Sequence, residues 1–189
     1  LEFNTVRGDQ QERPFGEVGP PIAVYGTPIF EGNVLYVTSV YESSGDNYGR
    51  LYALNLRGSG NDWVFPLNDS MGPVFGGPAY SKMTNTIYVG SDDGKLYALD
   101  ATTGEPKGLL GAVLFNAKSP IWGTPVVDAG VVYFGTLSGK VFGVNEGGSK
   151  VLEFQAGGSI VAKPLVNDGV VYVGSFDNNF YAIGAERRA

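Results

Sequence analysis

An all-β propeller of four blades is the fold this sequence predicts, and three observations predict it. A small-residue–proline step recurs four times, as GTPIF at Pro28, GGPAY at Pro78, GTPVV at Pro125 and AKPLV at Pro164, at intervals of 50, 47 and 39 residues. After each step come an aromatic residue, a turn rich in Gly or Asn, and an aromatic–small–aliphatic triplet. No segment carries the 3.6-residue apolar period of a helix, whereas aromatic residues at 13% and 29 glycines suit pleated surfaces and tight turns. A period of about 40–50 residues made of short strands marks propeller blades, each burying its faces only against its neighbours.

The elements of one copy follow in order. The first strand follows the proline, and the second runs through Tyr36, Tyr88, Tyr133 or Tyr172. The third runs through Tyr52, Tyr97, Phe142 or Tyr181, and the fourth follows the next turn, giving blades of four antiparallel strands. The two aromatics stand nine residues apart in the last three copies and sixteen apart in the first, where YESSGDNYG is inserted in the turn. Blades are expected at about 26–75, 76–122, 123–161 and 162–189, forming a single domain over 1–189. The fourth copy ends near Ala185 after three strands, and residues 2–6 alternate suitably to supply its outer strand. Four blades can form a small closed ring, or an arc completed by a second copy or by further sequence.

In YVGSDDGKLYALDATTG, Asp92, Asp93 and Gly94 form the expected hairpin turn, with Asp capping the bend and Gly accepting positive φ. Ser138 with Gly139, and Asp177 through Asn179, hold the same place later. Calcium ligation is the alternative, but isolated turns lack the six or more oxygens that ion takes, so no metal site is expected.

Charge and composition narrow the function. A net charge of −6 repels phosphate backbones, so no nucleic-acid partner is expected. The charges are scattered singly, which reads as solvated surface. With no Cys and no His there is no disulfide, thiolate nucleophile, Ser-His triad or conventional zinc site. No stretch approaches the roughly 20 apolar residues of a membrane-spanning helix, and the polar opening LEFNTVRGDQQERPFGEVGPP lacks an apolar signal core. No transmembrane segment is expected.

The repeat resembles that of the pyrroloquinoline-quinone-type (PQQ-like) β-propellers, a family that includes quinoprotein alcohol dehydrogenases and the outer-membrane assembly lipoprotein of Gram-negative bacteria. The resemblance extends over residues 26–184. Family blades close with Ala-x-Asp-x-x-Thr-Gly-x-x-x-Trp, the Trp docking on a neighbouring blade. Ala98, Asp100, Thr103 and Gly104 match, with Gly108 at the Trp position. Ala53, Asn55 and Trp63 match in the first copy, and Phe154 is expected to substitute in the third. Docking between blades is therefore expected to be uneven and strongest at Trp63.

The resemblance also implies how the enzymes of the family work: a quinone held between an aromatic ring and a disulfide of adjacent Cys, calcium held by Glu, Asn and Asp, and about eight blades. This chain has no Cys, so no enzyme activity and no cofactor are expected. The expectation is a non-catalytic scaffold that binds another protein or a cell-envelope component through rim loops. It lies outside the cytoplasm, by resemblance only. A small-ligand or quinone-binding module, or a fragment of a quinoprotein-type dehydrogenase, is the alternative. Candidate contact residues are Glu42, Asp46 and Asp69 in the longer loops, Tyr48 in the insertion, and Trp122 just before the Pro125 strand. A core or inter-blade role competes for Trp122. Asp93, Gly94, Asp100, Gly104 and Trp63 are assigned to the repeat framework. Self-association is a further expectation, through a homodimer that completes a larger propeller, because an open arc exposes apolar blade faces.

Overall fold

The computed structural model describes residues 21–56, 62–66, 70–108 and 111–184. Among them the elements are strands and turns, grouped in four antiparallel sheets that succeed one another along the chain. The first sheet holds β1 (Pro21–Ala23), β2 (Ile29–Glu31), β3 (Val34–Ser43), β4 (Asp46–Asn55) and β5 (Trp63–Phe65). The second runs β6 (Ala79–Ser81), β7 (Thr86–Gly90), β8 (Lys95–Asp100) and β9 (Val113–Asn116). The third runs β10 (Val126–Asp128), β11 (Val131–Gly135), β12 (Lys140–Asn145) and β13 (Lys150–Gln155). The fourth has three strands, β14 (Leu165–Asn167), β15 (Val170–Gly174) and β16 (Phe180–Ile183). The outer strand expected from residues 2–6 lies outside the described residues.

The inserted YESSGDNYG forms no loop. It lengthens β3 and β4 to ten residues each, paired without a break from Val34↔Asn55 to Ser43↔Asp46. Ser44 and Gly45 close the hairpin at φ 54° and 88°, positive angles that match a two-residue turn to the strand twist. Glu42 and Asp46, expected in a loop, therefore sit on strands.

Apolar residues are buried between blades. One cluster joins Tyr36, Leu51 and Ala53 of the first blade to Ile87, Val89, Tyr97 and Leu99 of the second. The next joins Tyr88, Leu96 and Ala98 to Val132, Phe134 and Phe142. The last joins Val141 and Ile160 to Val171 and Val173. Alternation along each strand sends successive side chains to opposite neighbours, so both faces of an inner blade are core.

The small residues before each proline have a steric reason. A β-carbon on Gly26 would fall 2.4 Å from the Gly76 backbone, one on Gly76 2.7 Å from the Gly123 carbonyl oxygen, and one on Gly123 2.8 Å from the Ala162 carbonyl oxygen. The chain thus passes backbone against backbone from blade to blade where the first strands converge. The Thr38 hydroxyl donates to the Gly76 carbonyl at 2.8 Å, and the Gly77 N–H to the Thr124 hydroxyl at 2.7 Å, across the same junctions. Among the described residues no strand pairing joins the fourth sheet to the first.

Candidate functional site

Antiparallel order within a blade decides which loops share an end. The turns between second and third strands lie at the same end as the connections that enter each first strand. Backbone bonds tie the two sets together: Asp92 N–H to the Pro73 carbonyl, Leu137 N–H to Pro120, and Phe176 N–H to Ser159, at 2.8, 3.0 and 3.0 Å. The tip of the β3–β4 hairpin belongs to this rim as well.

On this rim the three residues Tyr25, Phe75 and Trp122 stand at one repeat position, three before the prolines at 28, 78 and 125. Their rings touch in series, Tyr25 to Phe75 at 5.4 Å and Phe75 to Trp122 at 5.0 Å between centroids. Each pair meets near edge-on, at 60° and 58°, the arrangement ring quadrupoles favour. Yet Tyr25 is 62% and Trp122 41% exposed. The residue just before each ring in the later copies, Val74 or Ile121, is fully buried instead. The Trp122 indole N–H donates to Asp92 Oδ1 at 2.6 Å, which fixes the ring and brings a carboxylate to the edge of the run. Phe176, at the Asp92 position of the fourth blade, is exposed on the same rim.

Of the candidates read from sequence, Trp122 joins this run. Glu42 and Asp46 are exposed near the hairpin tip, and Tyr48 is half-buried on β4 with its ring 5.8 Å from Tyr41. Asp69 lies outside the described residues. Tyr25, Phe75, Asp92 and Phe176 were missed. An aromatic residue three before the aligned proline, in YGTP, FGGP and WGTP, was the available signal; the fourth copy has Val161 there.

The framework residues behave as turn chemistry requires. Gly94 and Gly104 take φ of 79° and 74°. Asp93 Oδ1 accepts from the Lys95 N–H, and Oδ2 from the Tyr97 hydroxyl at 2.6 Å and the Lys95 ammonium at 3.0 Å. Burial by itself would raise the Asp93 carboxyl, and these bonds outweigh it, holding it below the usual range. The fourth blade repeats the device: Asp177 accepts from the Tyr181 hydroxyl at 2.7 Å, foremost among the bonds that lower it to about 2. Asp100 Oδ1 caps the next turn through the N–H groups of Thr102 and Thr103.

The Trp63 indole donates to the Ala101 carbonyl of the second blade at 3.1 Å. Two expectations need correction. Phe154 lies opposite Val141, as Phe65 lies opposite Leu51, whereas Leu152 opposite Gly143 holds the place of Trp63 opposite Ala53. Gly108 belongs to a loop bridged to Gly111, and the outer strand starts only at Val113. Docking is not confined to Trp63 either. Each outer strand lays a Phe on the third-strand aromatic of the next blade: Phe65 on Tyr97 at 6.2 Å, Phe115 on Phe142 at 5.3 Å, and Phe154 on Tyr181 at 5.0 Å. Counting residues from the Ala misses this, because bulges and unequal connections set the register of the outer strand.

Sheets stacked by a repeated face, with turns and connections gathered on one rim, define a β-propeller of the PQQ-like class. The chain belongs to the family described as outer membrane protein assembly factor BamB, which it matches over residues 17–108 and 111–188. No curated protein matches by sequence. Among solved structures it is similar to the computationally designed Ika4 protein, at 14% identity and a TM-score of 0.65 over 86% of this chain and 91% of that one. It is similar to BamB from Moraxella catarrhalis, at 19% identity and a TM-score of 0.58 over 87% of this chain and 46% of that one. The WD40 β-propeller domain of Doa1 is similar at 15% identity and 0.63, over 88% and 53%. These identities speak for the fold alone. The chain spans about half the length of the BamB and Doa1 chains. Among the described residues no helix is long and apolar enough to cross a membrane.

Proposed function

We propose that this chain is a non-catalytic propeller scaffold that binds another protein of the cell envelope, outside the cytoplasm, through the rim that carries Tyr25, Phe75 and Trp122. The supporting observation is that these rings form a contiguous run whose two ends, Tyr25 and Trp122, are exposed, while Val74 and Ile121 beside the two later rings are fully buried. Aromatic rings anchored by a hydrogen bond, as Trp122 is by Asp92, present large contact area at low entropic cost, which suits an interface centre. The extended hairpin with Glu42, Asp46 and Tyr48 supplies a polar flank on the same end. Family membership supports an envelope setting.

The test is site-specific photocrosslinking in cells. A crosslinker at Tyr25, Phe75 or Trp122 is expected to trap one envelope protein, and one at Thr102 on the opposite rim to trap none. Equal yields from both rims would overturn the reading. Quenching of Trp122 fluorescence by a soluble quinone, without crosslinks, would favour the small-ligand alternative.

Self-association is supported by a separate observation. Phe180 and Leu165, on the outward face of the fourth blade, are 73% and 65% exposed, whereas Leu51, Leu96 and Val141 at the repeat position of Phe180 are fully buried. Phe30 is likewise exposed on the opposite face of the first blade. A second copy, or further blades of a longer chain, would cover both. Light scattering that gives a dimer mass falling to that of the monomer on dilution supports the copy; a monomer at every concentration removes it.

A further inference from the structure

Among the described residues, buried side-chain polar atoms without partners are confined to one pair of residues. Ser39 on β3 and Arg50 on β4 are cross-strand partners and so project to the same face of the first sheet. They are 1% and 2% exposed. Arg50 Nη2 donates to the Tyr41 hydroxyl at 3.1 Å, and the guanidinium carbon lies 4.3 Å from the centroid of the Tyr41 ring. Arg50 Nε, Arg50 Nη1 and the Ser39 hydroxyl have no hydrogen-bond partner, and they are the orphaned buried side-chain atoms of the described residues. Among those residues no carboxylate pairs with Arg50.

A buried guanidinium is always charged, and a cation-π contact with one ring does not replace an anion. Buried donors are ordinarily satisfied, so three open polar atoms on adjacent residues point to a ligand. With Nη2 engaged by the tyrosine, Nε and Nη1 stay without partners on a residue paired across the strands with Ser39, whose hydroxyl is without a partner as well. One cation, with no second basic residue bonded to it, balances a single negative charge, which selects a monoanion over a phosphate dianion. Planar carboxylate geometry is what guanidinium donors match best.

We propose that Arg50 and Ser39, backed by Tyr41, form a receptor for one carboxylate, either a free small carboxylate or an Asp or Glu side chain presented by a partner protein. Arg50 supplies the charge and N–H donors, Ser39 a further hydroxyl donor, and the Tyr41 ring holds the guanidinium in place. This site is separate from the aromatic run, and its test does not depend on that reading.

The experiment follows the Arg50 Nε–Hε signal by nitrogen-15 NMR while sodium formate, or N-acetyl-aspartate N-methylamide, is added at constant ionic strength made up with sodium chloride. Saturable displacement by either probe is expected; formate alone assigns a free carboxylate, and the capped aspartate alone assigns a protein side chain. Ser39→Ala is expected to weaken binding several-fold, and Arg50→Lys to weaken it at least tenfold as judged by Tyr41 ring signals. Should Arg50→Lys fail to fold, Ser39→Ala with the same titration carries the test. A signal that neither probe moves, or that chloride moves equally, overturns the proposal and leaves hydration as the partner of these donors.

Discussion

The six-membered ring of Trp63 occupies the space that a side chain on Gly104 would need: a β-carbon there would lie 2.7 Å from Trp63 Cδ2. The outer strand of the first blade and the capped turn of the second are thus fitted to each other, the indole N–H bonding Ala101 three residues upstream of that glycine. Gly104 serves both terms of the contact, since it also takes a φ of 74° that side chains disfavour.

Gly104→Ala is therefore expected to destabilise the chain by about 2–4 kcal/mol, from backbone strain together with displacement of the ring. Trp63→Ala, which empties a half-buried site, is expected to cost about 2–3 kcal/mol. Because they share one contact, the double variant should lose less than the two separate losses combined. Urea unfolding of the four proteins measures this, and strict additivity would show that the ring and the glycine are not coupled.

The register of the outer strands makes a second prediction. Phe115→Ala and Phe154→Ala each remove a ring that bridges two blades and are expected to cost about 3 kcal/mol. Leu152→Ala, at the position of Trp63, should cost about half as much, because it removes a smaller aliphatic side chain and leaves the ring that Phe154 lays on Tyr181 in place. Thermal unfolding ranks them, and a Leu152 loss equal to that of Phe154 would restore the Trp slot to the third blade.

Backbone contact at the blade junctions makes a third. Gly76→Ala places a methyl group 2.7 Å from the Gly123 carbonyl oxygen, where neither chain has a flexible end to yield. A loss of about 2–3 kcal/mol is expected. Gly32→Ala, at a turn with open space around it, should show only the strain of its φ of 60°, about 1 kcal/mol. Equal losses would mean that crowding contributes nothing.

Acid stability tests the Asp177 bond. The Tyr181 hydroxyl, followed by the Asn179 and Gly157 N–H groups, lowers this carboxyl from 3.8 to about 2. A carboxyl depressed in the folded state adds stability that is complete above its unfolded value and fades as pH falls through the folded one. Stability should therefore decline between about pH 4 and pH 2, and Asp177→Asn should flatten that part of the profile. Carbon-13 NMR of the carboxyl gives the value directly; a midpoint near 4 would remove the effect.

Alkali tests Tyr36. Burial, reinforced by Tyr80, Asp100 and Glu31, raises its hydroxyl to about 12, and that hydroxyl donates to the Ala101 carbonyl at 2.8 Å. The unfolded chain ionises first, so this contribution is intact below pH 10 and is lost as pH rises toward 12. Tyr36→Phe should be less stable at neutral pH yet decline less steeply above pH 10. Parallel profiles would place the alkaline loss elsewhere.

Much of the architecture was legible in the chain. Each proline step precedes a first strand, and the aromatics at Tyr88 and Tyr97, nine apart, fall on the second and third strands, paired as Tyr88↔Ala98 and Val89↔Tyr97. The candidate site was legible only in part: Trp122 was visible by itself, but its company with Tyr25 and Phe75 was not, since those residues are about two repeats and one repeat away along the chain. The hairpin was misread because an alternating insertion resembles a loop until a partner strand accepts its hydrogen bonds. Arg50 resembled any scattered surface charge, and burial cannot be read from a single residue when a sheet face covers it.

By itself the sequence determined that the chain would fold as strands in four successive sheets and, outside the first hairpin, where they would turn, because alternation, glycine and proline act over a few neighbouring residues. Only the tertiary structure decided which Phe meets which ring, which aromatics share a rim and which arginine is shut away from water. Those outcomes depend on register across hydrogen-bonded strands and on contact between distant blades, where one bulge or one longer connection moves every side chain beyond it.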